Sequence, residues 1–256
     1  ALQTSWTRTS GRYNMMFNYT FGKSMGILTG GQTDLFNLDN NYGVLPSNRK
    51  HIFNAAYSIE LGNPVTGQRL LGGIVNGWQL SGITQIQSGQ NIAAVQNFFT
   101  NDVNFEQNAA GDRYTIPVNG ARYQINNRTV NGTPALPWRP LINCSLTSNL
   151  VDKQYVNGSC LALPTGPGQS GPTVTPPVYG PAYVNSDLGL FKNFEMGESK
   201  RLQFRFNAYN FLNHPLWSFI NGSANLKPTF DVNGKQTNSI FGLTTENKAT
   251  GLFRWR

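Results

Sequence analysis

The chain has 256 residues, of which 39% are hydrophobic, 12% aromatic and only 12% charged, with 20 Lys and Arg against 12 Asp and Glu for a net charge of +8. Globular chains average about 25% charge and disordered ones are short of aromatics, so 16 Phe, 10 Tyr and 5 Trp exclude a disordered tail and fit poorly with an ordinary cytosolic enzyme. No stretch approaches the roughly 18 consecutive apolar residues of a spanning helix, and the basic residues are scattered, adjacent only at 49–50 and 200–201, instead of forming a stripe that tracks phosphates, so no nucleic-acid partner is expected, whereas an anionic membrane surface is compatible.

Taken along the chain, Ala1 to Trp6 lacks the basic and apolar regions of a signal peptide and reads as mature sequence. Period-two alternation, the signature of strands, is then the dominant pattern. In Tyr13–Phe21 one face is Tyr, Met, Phe, Tyr and Phe, and the other is Asn, Met, Asn and Thr. A long connection from about Gly26 to Asn48 follows. Alternation returns at Phe53, Ala55, Tyr57, Ile59 and Leu61, and at Trp78, Leu80 and Gly82, where Ile83 and Thr84 blur it.

Residues 89–185 are rich in Asn, Gly and Pro and read as a long external loop region, with short strands an open alternative for pieces such as Arg122 to Ile125. Alternation resumes at Leu188 and Leu190. After a short turn over Gly197 to Lys200 it is cleanest at Leu202, Phe204, Phe206 and Ala208, opposite Gln203, Arg205 and Asn207. Inside a closed soluble core Arg205 and Gln203 would need partners; toward a watery lumen they need none. The expected facing is therefore lipid for Leu202, Phe204 and Phe206, and lumen for Gln203, Arg205 and Asn207.

Strands near the nine to eleven residues that cross a bilayer, with short turns at one end and long loops at the other, predict an all-β fold. The expectation is an antiparallel transmembrane β-barrel, represented by about seven or eight spanning strands. Tyr13, Tyr19, Tyr57 and Trp78 are candidates for its aromatic girdles. A secreted soluble β-sandwich or adhesin-like binding module is the alternative.

Cys144 and Cys160 enclose a polar segment. With no other Cys and only two His there is no zinc ligand set, and the two either pair, if the compartment is oxidising, or stay free. Gly166–Gly171 satisfies G-x-G-x-x-G but lies among prolines, without the strand and helix a dinucleotide site requires. His51 and His214 read as rim or turn residues, and Glu195 with Glu198 as a polar turn before a glycosidase pair. No enzyme, metal or cofactor is expected. Trp138, Tyr155, Tyr179 and Tyr183 either stack on a sugar or peptide arriving from outside or pin the loop to itself. Arg113, Arg122, Arg128 and Arg139 are candidates to meet lipopolysaccharide phosphates.

Asn185-Ser-Asp-Leu-Gly-Leu-Phe-Lys-Asn-Phe194 with Arg201-Leu-Gln-Phe-Arg-Phe-Asn-Ala-Tyr-Asn-Phe-Leu-Asn-His-Pro215 resembles the last hairpin of Oar-like TonB-dependent outer-membrane receptors. Asn18–Ser24, Ser47–Phe53, Asn76–Ile83 and Gln87–Gln90 are similar to other strands of that family, in the family's order. The resemblance implies that residues 1–256 are a carboxyl-terminal portion of the barrel, with the plug domain absent. It further implies uptake of an oligosaccharide, peptide or chelate, driven by TonB through that plug, from an outer membrane whose lipid and lipopolysaccharide surround the strands.

Overall fold

The computed structural model describes residues 1–28, 34, 36–95, 103–195, 201–219, 224–247 and 253–255. Seven strands form one sheet: β1 (Leu2–Ser10), β2 (Tyr13–Phe21), β3 (His51–Gly62), β4 (Trp78–Gln87), β5 (Tyr183–Glu195), β6 (Arg201–Ala208) and β7 (Phe253–Trp255). Their order in the sheet is their order in the chain and every pairing is antiparallel. This is the up-and-down meander from which barrels are built. The other sheets among the described residues have two strands each, so no second large sheet faces the first as a sandwich requires.

The short turn after Ser10 and the long connections that include Gly26–Asn48 and most of 89–185 fall where the alternation leaves them, whereas 63–77 and 209–252 carried no such signal and strand Tyr183–Glu195 begins inside 89–185. Residues 11–12, 63–77 and 196–200 join strands at one end, and 22–50, 88–182 and 209–252 at the other. The tightest is Gly11-Arg12, where Gly11 has φ +58°, a conformation suited to the first central position of a II′ hairpin. The Gly197–Lys200 turn and the Glu198 partner of Glu195 lie outside the described residues.

Register sorts the side chains onto two faces, because directly opposed residues in an antiparallel pair point the same way. Leu202, Phe204, Phe206 and Ala208 oppose Phe194, Lys192, Leu190 and Leu188. The last three oppose Trp78, Leu80 and Gly82, and the row continues through Tyr57 and Ile59 to Met15 and Tyr13. Gln203, Arg205 and Asn207 fall on the opposite face with Asn193, Gln79, Ser81, Ser58, Asn14 and Asn18. One face is thus largely apolar across the sheet and the other largely polar.

Three local devices keep this sorting intact. Leu61 is the extra residue of a bulge between Glu60 and Gly62, so it does not continue the apolar row as its spacing suggested. Thr84 falls on the apolar face, where its hydroxyl hydrogen-bonds that of Ser186 at 2.6 Å, each satisfying a polar group that its apolar neighbours could not. Gly82 has no side chain because the Tyr57 ring covers it: a Cβ there would lie 2.4 Å from the ring.

The long connections are not structureless. A hydrophobic core of Ile92, Ile116, Val130, Trp138, Val156, Leu161, Leu226, Phe230 and Phe241, among others, draws on both 88–182 and 209–252. Thr115–Val118 and Ala121–Gln124 form a hairpin, which gives the strand alternative for Arg122 to Ile125 its answer, although the hairpin is a separate sheet and does not prolong the spanning strands. Phe230 and Phe105 pair across the two connections in a short parallel bridge.

Candidate functional site: the loop module and the polar face

The polar face carries an open trough of about 460 Å³ whose lining includes Asn14, Met16, Ser58, Ile83, Phe191 and Tyr209. The side chains lining it belong almost entirely to the polar row. Arg205 donates through Nε to Gln203 on this face, so neighbouring lumen candidates hold each other in position.

At the long-loop end β4 and β5 run on into a neck. Ile92 N–H donates to the Val178 carbonyl at 2.8 Å, and Gly180 N–H to the Gln90 carbonyl at 3.0 Å. Gly89 and Gly180 cross so closely that a Cβ on Gly89 would lie 1.8 Å from the Gly180 oxygen, a separation that admits glycine alone. Asn91 is buried here; its Nδ2 donates to the Val44 carbonyl at 3.0 Å and its Oδ1 accepts from Val178 N–H at 3.3 Å. Asn48, also buried, accepts from Ser24 N–H at 2.7 Å. These amides satisfy backbone groups where the ladder ends.

Beside the neck lies a cavity of about 310 Å³, lined by Arg49, Gln90, Ile92, Tyr183, Trp217 and Phe219 among others. Its lining combines the Tyr183, Trp217 and Phe219 rings with polar groups of Arg49, Gln90 and Ser218 in nearly equal measure, so a ligand there would be polar with an apolar face to stack. Arg49 is held by a 2.9 Å hydrogen bond to the Ser88 carbonyl. Lys153 places its ammonium 4.6 Å from the Trp217 ring centre, and Phe219 meets Tyr155 edge-on at 6.2 Å.

Of the four aromatic candidates, Tyr183 lines this cavity, standing at the start of β5 on the polar face. Trp138 does not: it is 7% exposed in the module core and packs at 6.2 Å from Phe105. Burial of its ring removes the surface a ligand would stack on. Tyr155 packs partly buried against the same core. Tyr179 is not part of this cavity: it lies beside Phe21, Asn48 and Lys50, its hydroxyl accepting from Asn48 at 3.4 Å. Trp217, Phe219, Arg49 and Gln90 carry no signal in the sequence: Trp217 and Phe219 stand in a short stretch without a period, and Arg49 and Gln90 are single polar residues where strands end.

Cys144 and Cys160 are joined, with Cα atoms 5.0 Å apart. The segment between them is not held by the bridge alone, since Leu146 and Val156 are buried in the module core. Arg139 is likewise buried, which removes it from the set available to lipopolysaccharide. Arg122 is exposed but folded onto Thr115 by two hydrogen bonds, while Arg113 and Arg128 are exposed.

The girdle candidates separate by position. Tyr13 begins β2 and Trp78 begins β4 at the short-turn end, while Tyr19 lies toward the long-loop end, 2.8 Å from His51 Nδ1 through its hydroxyl. Tyr57 lies mid-strand opposite Met15 and Gly82, so it is not a girdle residue; its ring fills the space above a glycine. His51 opens β3 and His214 sits in the bend before Leu216–Ser218. Among the described residues no three His, Cys, Asp or Glu gather as a metal site, and no helix is long and apolar enough to cross a membrane.

An antiparallel meander with spanning-length strands, one apolar face and loops of unequal length at its two ends defines an outer-membrane barrel. The family described as outer membrane beta barrel domain matches residues 1–255. The chain belongs to that family, and its place is the bacterial outer membrane. No curated protein and no solved structure matches it.

Proposed function

We propose that the chain is the carboxyl-terminal part of an Oar-like, TonB-dependent receptor that captures an oligosaccharide, peptide or chelate outside the cell and passes it through the barrel. The observation that carries this reading is the packed loop module with an aromatic cavity beside its neck, joined through Tyr183 to the polar face of the sheet. A passive pore needs no such capture surface. In this reading Leu202, Phe204 and Phe206 meet lipid, and Gln203, Arg205 and Asn207 line the lumen against which a plug packs. Tyr13, Tyr19 and Trp78 lie at the bilayer interfaces, and Arg113 and Arg128 reach lipopolysaccharide phosphates. The two free edges of the sheet support a larger barrel, since a bilayer does not tolerate unpaired strand edges. No residue is assigned covalent chemistry.

The test is accumulation of labelled oligosaccharides, peptides and metal chelates by cells carrying the full-length gene, with and without TonB. At least one class is expected to accumulate only with TonB, and Trp217→Ala is expected to weaken its capture while the barrel still migrates anomalously on unheated gels. Accumulation at the same rate without TonB overturns the energy-coupled reading.

A further inference from the structure

The 63–77 connection contains a helix, α1 (Arg69–Val75), whose apolar side chains have no place in the protein. Leu70 is 87% exposed, and Leu71, Ile74 and Val75 are exposed too. At 3.6 residues per turn these four lie together on one side of α1, while Gly72, Gly73 and Asn76 lie on the other. Seven residues are too few for a helix to persist in water on propensity alone, particularly with two glycines. Its C-terminal end is instead tied down from the sheet.

The ties come from the apolar face. Trp78 Nε1 donates to the Ile74 carbonyl at 2.8 Å, and Lys192 Nζ donates to the Ile74 and Asn76 carbonyls at 2.7 Å each. Trp78 and Lys192 are directly opposed on that face, with the ammonium 5.2 Å from the indole centre and 5.0 Å from Phe194. Asn76 closes the loop by exchanging two hydrogen bonds with the Val65 backbone. The helix is therefore anchored to the side of the sheet that meets lipid, at the short-turn end, which in outer-membrane barrels is periplasmic.

We infer that α1 is an interfacial anchor that inserts Leu70, Leu71, Ile74 and Val75 among the acyl chains of the periplasmic phospholipid leaflet. Continuity selects this occupant: the helix extends the apolar face at the level of Trp78 and Lys192, residue types that settle at headgroup depth. No charged residue occurs between Leu70 and Gly77. Two carbonyls hold the Lys192 ammonium beneath the helix and leave only the apolar side outward. The inference rests on the outer-membrane location and on the apolar face of the sheet meeting lipid, not on TonB, so it stands or falls independently of TonB coupling.

Both cysteines of this chain are in the disulfide, so Leu70→Cys, in a full-length protein with any free cysteine outside this chain changed to Ser, accepts a single polarity-sensitive fluorophore. The full-length protein, reconstituted in phosphatidylethanolamine and phosphatidylglycerol vesicles, is measured with nitroxides placed shallow or deep on the acyl chains. Expected are a blue-shifted emission and stronger quenching by the shallow nitroxide, with the same label at exposed Ala135→Cys remaining water-like. Emission matching the Ala135 label, with equal quenching by aqueous iodide, overturns the inference. So does a blue-shifted probe that no lipid nitroxide quenches, which would mean that protein covers the helix. Leu71→Cys gives the same reading if the first variant fails to assemble.

Discussion

Single residues decide how the loop module is closed. The Cys144–Cys160 bridge encloses residues 145–159, and Cys160 is itself buried in the core while its chain continues into Leu161 and Leu163. Removing the constraint from a loop of this length costs about 3 kcal/mol on the chain-entropy account. Cys144→Ser with Cys160→Ser is expected to destabilise the module by that order, seen as protease cleavage within 88–182 at lower denaturant. The heat-dependent gel shift of the barrel should persist, because none of the seven sheet strands contains either cysteine. If reduction leaves the loops as resistant as before, Leu146, Val156 and their neighbours suffice without the bridge.

Elements are governed by which face meets lipid. Phe204 opposes Lys192 on the apolar row, and Arg205 opposes Phe191 on the polar one. Arginine facing the bilayer midplane costs about 2–4 kcal/mol, falling toward the interfaces, so Phe206→Arg, two residues deeper than Phe204, is expected to impair assembly more than Phe204→Arg. Arg205→Leu, on the polar face that we propose lines the lumen, should leave the heat-dependent shift intact. Tolerance of both Phe→Arg changes together with failure of Arg205→Leu to assemble would show the facing to be inverted.

This much was legible in the sequence because alternation is local: Arg201–Ala208 and Tyr13–Phe21 state their faces without reference to any partner. Leu61 and Tyr57 were misread because a bulge and a cross-strand glycine are properties of the pair, visible only once Gly62 meets Trp78 and Tyr57 meets Gly82. The sequence shows the module only as loop for a similar reason. Its core residues, such as Ile116, Trp138 and Phe230, come one or two at a time from short pieces too brief to show a period. The cavity draws on residues from all three long connections and from the start of β5, so no one of them alone announces it.

At the scale of the whole molecule two units are held by different forces. The sheet rests on its ladder of hydrogen bonds and on lipid, the module on a small core in water. Burial pushes the Tyr114 and Tyr155 phenols above the ordinary 10.0, Tyr114 being held by a 3.0 Å hydrogen bond to the Pro164 carbonyl and Tyr155 also facing the charge of Asp152. A phenol that stays neutral in the folded state but ionises at 10.0 when unfolded contributes stability that is complete below 10.0. That contribution is lost as pH rises from there through the folded values. The module is therefore expected to loosen on alkalinisation past 10.0 while the strands hold, so that protease cuts in 88–182 and 209–252 accelerate before the barrel loses its heat-dependent migration. Tyr114→Phe with Tyr155→Phe should flatten that dependence, since neither ring then carries a proton to lose. Equal acceleration in the double variant would place the alkaline weakness elsewhere in the module, and simultaneous loss of both units would show that they unfold as one.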